Sequence, residues 1–144
     1  MLQLFLRGVY MLLTRASEYA LLSLALIGEG GEPKDVDTLS RQLGISKSFL
    51  AKILQSLAKH GILISYKGAK GGFALNKKFS EISIMEVVNA AEGKSPAVFE
   101  CSPSQESCPS DRGMQCVIWP FLNRLQNKID GFLENLTLKD ILEK

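Results

Sequence analysis

Residues 37–75 read DTLSRQLGISKSFLAKILQSLAKHGILISYKGAKGGFAL, and the fold is decided there. Asp37 is an N-cap type, able to accept from the free N–H groups of a first helical turn, and opens a short helix expected over Thr38–Leu43. Gly44 closes that helix as a left-handed C′ residue, a conformation that costs any residue with a Cβ. Ile45 follows, placed to plug the angle between two helices. Ser46 is again an N-cap, and the next helix runs from Lys47 to about His60, with Phe49, Leu50, Ile53, Leu54 and Leu57 at helical spacing. Gly61 stops it. Two helices joined by a three-residue turn containing glycine form a helix-turn-helix. Ile62–Tyr66 is then an apolar, β-branched strand, residues 67–72 are a glycine-rich turn carrying Lys67 and Lys70, and Phe73–Leu75 returns. A helix-turn-helix followed directly by a β-hairpin is a winged helix. The glycine run is not a P-loop, because the strand–GxxxxGK[ST]–helix order is absent.

The charge agrees with a polyanion-binding element. From Arg41 to Ser80 there are eight Lys or Arg and no Asp or Glu. Residues 1–80 carry a net +6 and residues 81–144 a net −4, so the overall +2 conceals an asymmetry. Ordinary surfaces intersperse the two signs. A one-signed basic segment attracts nucleic acid, since neutralising phosphates releases condensed counterions.

Outward from this segment the chain stays helical. Thr14 can cap a helix reaching about Ile27, with Tyr19, Leu22, Ala25 and Leu26 on an apolar face, and Gly28, Gly30 and Gly31 end it. Ser83 and Glu86 form a capping box for a helix to about Glu92, closed by Gly93. Residues 94–115 read as a loop rich in Ser, Pro, Gly and Cys. A long helix begins near Cys116–Pro120 and reaches about Leu136, carrying Ile118, Phe121, Leu122, Leu125, Ile129, Phe132, Leu133 and Leu136 as one broad apolar stripe. A small domain does not easily bury such a face alone, so the stripe predicts packing against a second copy. Thr137–Asp140 starts a last short turn. The organisation expected is an N-terminal extension over 1–10, a winged-helix domain over 11–80, and a cysteine loop with a dimerisation helix over 81–144. The fold class is mainly α with a small β-hairpin wing.

No run is long enough to cross a bilayer, and the apolar start, Met1–Tyr10, has its only charge, Arg7, after the apolar residues, unlike an export signal. The expectation is a cytoplasmic protein without a membrane partner. Its three cysteines, Cys101, Cys108 and Cys116, are separated by six and seven intervening residues, unlike the spread pairs of a secreted disulfide scaffold or the CxxC of a zinc ribbon. Three thiolates on one loop can close around an iron–sulfur cluster, which tolerates a fourth ligand other than Cys; buried or redox-active free thiols are the alternative. With His60 the only histidine, and no Ser/His/Asp or paired-carboxylate constellation, enzymatic chemistry is not expected.

Leu13-Thr14-Arg15 through Tyr19-Ala20-Leu21, then Leu43-Gly44-Ile45-Ser46 with Leu50, then Lys67-Gly68 with Gly71-Gly72-Phe73, resemble the Rrf2 family of bacterial repressors over roughly residues 11–142. The resemblance implies a homodimeric winged-helix transcription factor. In members with three such cysteines, these bind a 2Fe–2S or 4Fe–4S cluster whose state sets DNA affinity, and Cys101, Cys108 and Cys116 would be the ligands here. IscR-like members place a His three residues after the third Cys, where this chain has Trp119, which is no iron ligand. NsrR-like members take a carboxylate from the partner's first helix, and Glu18 stands at the matching position. CymR-like members have no cluster, which leaves a thiol-only switch open.

Together these readings give a DNA-binding regulator, a repressor of operator DNA. Ser46, Lys47, Ser48 and Lys52 would face the major groove or its phosphates, Lys67 and Lys70 would act from the wing, and Thr14 and Arg15 would anchor the first helix to the backbone. The alternative function is a small iron–sulfur carrier or assembly protein, which would need neither the acid-free segment nor the winged helix.

Overall fold

The computed structural model describes residues 13–108 and 112–143. The extension expected over 1–10 lies outside them. Six helices and one hairpin follow in order: α1 (Arg15–Gly28), α2 (Val36–Leu43), α3 (Lys47–Lys59), β1 (Leu63–Tyr66), β2 (Gly72–Leu75), α4 (Ile84–Glu92), α5 (Trp119–Asn135) and α6 (Leu138–Leu142). The strands pair antiparallel with Leu63 opposite Leu75 and Tyr66 opposite Gly72.

The turn between α2 and α3 is built as its residues dictate. Gly44 has φ 68° and its N–H meets the Ser40 carbonyl, so the helix ends in the left-handed geometry that favours glycine. The Ser46 hydroxyl then accepts from Phe49 N–H and restarts the chain as α3. The first cap differs from expectation. Asp35, not Asp37, is extended and accepts from Thr38 N–H at 2.8 Å, while Asp37 sits inside the first turn and pairs with Arg41 at 3.2 Å. Both are acidic residues near the helix start. The outer one wins because its backbone is extended, where a cap must be.

The core runs continuously from Ala20 in α1 to Leu138 in α6 and includes Leu39, Leu50, Leu54, Leu57, Ile62, Phe73, Val87 and Val88. The inward face of α1 corrects the sequence reading. Ser17, Ala20, Ser23, Leu24 and Ile27 are buried, while Leu22 is exposed. Small serines let α4 pack closely against α1, and this close approach outweighs the larger apolar side chains that the reading favoured. Phe49 also lies mostly outside the core, and meets Tyr19 of α1 edge-on at 6.0 Å.

The wing is held from outside the hairpin. Lys34 and Phe73 exchange both backbone hydrogen bonds, at 2.9 and 2.8 Å, which adds the chain before α2 to the edge of β2. At the other end two capping boxes, Ser83/Glu86 and Thr137/Asp140, are joined by Ile84 N–H to Leu136 O and Leu138 N–H to Ile82 O. This bridge docks the chain after α5 back onto the body. The expected apolar stripe of α5 splits in two. Leu122 and Leu133 turn inward, and Ile118, Phe121 and Phe132 turn outward.

Candidate nucleic-acid interface and cysteine site

The outer face of α3 is polar and uncovered. Ser46, Lys47, Ser48, Lys52, Gln55 and Lys59 are all exposed. Ser48, Lys52, Gln55 and Lys59 follow one another at helical spacing and so share a face, with Lys47 at the helix start. Lys67 and Lys70 lie between the two strands in the hairpin turn and are exposed, with Tyr66, 49% exposed, beside Lys67. Among the described residues none of the lysines at 47, 52, 59, 67 and 70 forms an ion pair. Lys77 differs: it pairs with Glu86 at 2.9 Å and ties the end of the wing to α4. Burial pushes the Glu86 carboxyl up, but the bonds from Lys77 and Ser83 outweigh this and hold it below its ordinary value. The uncompensated positive charge therefore gathers on α3 and the wing.

At the start of α1, Arg15 and Glu18 are exposed, while Thr14 is engaged within the chain. One oxygen of Glu92, the last residue of α4, accepts from Thr14 N–H at 2.9 Å, Thr14 O–H at 2.6 Å and Ser17 O–H at 2.7 Å. Burial raises the Glu92 carboxyl, the three donors lower it by more, and the net position is below the ordinary range. The Thr14 hydroxyl also accepts from Ala16 N–H as the helix cap. Ser56 of α3 donates to the Ala90 carbonyl of α4 at 2.6 Å. Helix α4 is thus hydrogen-bonded to both α1 and α3. His60, at the end of α3, places Nδ1 2.8 Å from the Ser56 carbonyl, a capping role rather than a ligand's.

The stretch expected as a loop over 94–115 holds short local order. It contains two single 3₁₀ turns, Gln105–Ser107 and Gly113–Gln115, packed together, and each delivers a cysteine as its next residue, Cys108 and Cys116. Their contact depends on Gly113, where a Cβ would lie 1.9 Å from the Gln105 carbonyl oxygen. Cys101, Cys108 and Cys116 are free thiols, all partly buried. A cleft of 280 Å³ opens between the turns, but its lining, Gln105, Glu106, Arg112, Gly113, Met114 and Gln115, contains none of the thiols. Among the described residues no three His, Cys, Asp or Glu side chains converge as a metal-binding group. The donor set, three free thiols on one loop, fits a thiolate-held iron–sulfur cluster. Closing it requires the thiols to draw together.

The family model for Rrf2, described as an iron-dependent transcriptional regulator, matches residues 13–144. This chain belongs to the Rrf2 family. The HTH-type transcriptional regulator IscR of Serratia proteamaculans is 32% identical over 135 residues, covering 92% of this chain and 79% of that protein. Two solved structures share the fold. IscR of T. potens has a TM-score of 0.65 at 23% identity, over 95% of this chain and 88% of that one. The oxidised form of Staphylococcus aureus CymR has a TM-score of 0.66 at 23% identity, over 92% and 96%. The protein is thus an Rrf2-family winged-helix transcriptional regulator.

Several residues of this Rrf2-family regulator are not singled out by the sequence. Gln55 and Lys59 extend the face begun by Ser48 and Lys52, and their i, i+4, i+7, i+11 spacing was a usable signal. On α5, Asn123 and Gln126 bond to the main chain leading into the cysteine loop. Polar residues inside an apolar stripe were their signal. No helix among the described residues is long and apolar enough to cross a membrane.

Proposed function

We propose that this Rrf2-family regulator is a homodimeric repressor, acting in the cytoplasm, whose affinity for operator DNA follows the state of Cys101, Cys108 and Cys116. Those thiols serve as ligands of a 2Fe–2S or 4Fe–4S cluster, or act directly as a thiol switch. The observation that carries the reading is the chain of packed elements between thiols and DNA face. The cysteine loop leads into α5, α5 packs on α4, and α4 is bonded to α3 through Ser56 and to α1 through Glu92. A shift of the loop therefore reaches the recognition helix through contiguous contacts.

Ser46, Ser48 and Lys52 read or position the major groove from α3, Lys47 takes a phosphate at its start, and Lys67 and Lys70 reach the backbone from the wing. Arg15 adds a phosphate contact beside α1, and Thr14 positions Arg15 by capping that helix. Glu18, exposed on α1, supplies the carboxylate that completes the ligand set of a second copy's loop. A carboxylate is a hard ligand for iron and the first to leave. A bound cluster supplies the redox chemistry that the side chains lack.

Anaerobic purification with iron and sulfide analysis tests the sensor. The expected result is a visible absorption that each Cys→Ala variant loses and Glu18→Ala keeps in altered, shorter-lived form. A triple Cys→Ala variant that holds iron as well as the parent overturns it. For DNA, the Lys67→Ala, Lys70→Ala double variant should weaken binding to all sequences and lower the salt slope by about one unit per lost phosphate contact. An unchanged slope in gel-shift titrations removes the wing from the interface.

A further inference from the structure

Three side chains of α5 reach the same stretch of main chain. Trp119 Nε1–H donates to the Cys101 carbonyl at 2.9 Å, and Asn123 Nδ2–H donates to the Ser102 carbonyl at 3.0 Å. Gln126 accepts from Val98 N–H at 2.8 Å and donates to the Pro96 carbonyl at 2.9 Å. Positions 119, 123 and 126 are related by i, i+4 and i+7, so they form one line along the helix. Ser102 and Gln126 are buried, at 0% and 2% exposure, where an unmade hydrogen bond is costly. The line is a polar seam that fixes residues 96–102, the first cysteine among them, against α5.

Trp119 also holds the third cysteine, since its backbone N–H meets the Cys116 carbonyl at 3.4 Å. One residue thus binds the carbonyls of Cys101 and Cys116, which are fifteen positions apart in sequence. Cys108 has no such tie. Its N–H donates to Gln105 within its own turn, at 3.3 Å, and among the described residues no α5 side chain bonds to it.

We propose that Trp119 is a positioning residue of the cysteine site: with Asn123 and Gln126 it presets Cys101 and Cys116 as a fixed pair, onto which Cys108 closes. The proposal rests on the reading of the three-cysteine loop as a thiolate site. Indole is a donor only and cannot ligate a metal, so Trp119 acts through the main chain that bears the ligands, as outer hydrogen bonds orient ligands elsewhere.

The chain has a single Trp, so the full-length reduced protein gives one indole N–H resonance. Its proton should exchange at least about tenfold more slowly than in the urea-unfolded chain, and exchange at the unfolded rate overturns the proposal. Trp119→Phe keeps an aromatic side chain and the backbone bond to Cys116 but removes the indole donor. Alkylation by iodoacetamide, followed by peptide mass spectrometry, should then speed up selectively at Cys101. Cadmium(II), used as a thiolate probe, should bind about 10–100-fold more weakly to this variant. Unchanged rates and affinity, or equal acceleration of all three thiols, refute the positioning role. Should Trp119→Phe fail to fold, Asn123→Asp, which cannot donate to Ser102, is read by the same alkylation pattern. If cadmium(II) gives no thiolate absorption with the parent, the thiolate-site reading fails, while slow indole exchange and selective Cys101 protection would still establish the clasp.

Discussion

Glu92 is a carboxylate with three donors on one oxygen, and its position has a consequence for acid stability. Its folded-state pKa lies below the ordinary 4.5, because the bonds from Thr14 and Ser17 outweigh burial. A carboxyl depressed on folding adds stability that is complete above its unfolded pKa and is lost as pH falls through the lower folded value. Glu92→Gln keeps an acceptor but no charge, so it should cost about 1 kcal/mol near neutral pH. Urea denaturation at a series of pH values should show parent and variant converging progressively as pH falls below the ordinary 4.5. A gap that widens in acid would contradict the assignment. No sequence rule reaches this contact, since Thr14 and Glu92 are 78 positions apart. The lysines of α3 and the wing were legible because a one-signed run of charge shows in the sequence whatever the fold. The cap of α2 was misread by two positions, as the choice between Asp35 and Asp37 depends on which backbone is extended.

At the scale of elements, glycines and caps carried most of the legible fold. Gly44, Ser46, the Ser83/Glu86 box and Gly93 each act locally, and each structural element they delimit is present. The two turns of the cysteine loop are not legible in the sequence, because they are defined by their contact with each other, and composition does not reveal that contact. Gly113 is where the contact is decided. Adding one methyl places a Cβ against the Gln105 carbonyl oxygen, which is backbone and cannot rotate away. Gly113→Ala should therefore separate the two turns and disturb Cys108 and Cys116, while the core from Ala20 to Leu138 stays intact. The expected outcome is faster alkylation of both thiols with a nearly unchanged thermal midpoint of the main transition. Thiol rates equal to the parent's would show that the turns do not depend on their close approach.

The molecule as a whole leaves an apolar surface uncovered along α5. Val117 is 92% exposed, Phe132 65% and Phe121 60%, with Ile118 beside them. Pairs 121/122 and 132/133 are eleven positions apart, about three helical turns, so two apolar lines run side by side. The inner line, Leu122 and Leu133, belongs to the core, and the outer line, Phe121 and Phe132, does not. Sequence periodicity sees one broad stripe and cannot divide it, which is why the stripe was legible and its two faces were not. An outward aromatic line on a 17-residue helix is best satisfied by the same line on a second copy, in a symmetric pairing. Such a dimer would present two recognition helices about 34 Å apart, or a multiple of this, to successive turns of DNA. Phe121→Glu combined with Phe132→Glu tests the seam without touching the core, because both side chains already face outward. Light scattering should find the parent dimeric and the variant monomeric at micromolar concentration, with circular dichroism unchanged. The variant should also lose tight operator binding, since one half-site contact replaces two, while keeping weak salt-sensitive binding through its lysines. A variant that remains dimeric would place the interface elsewhere on the molecule.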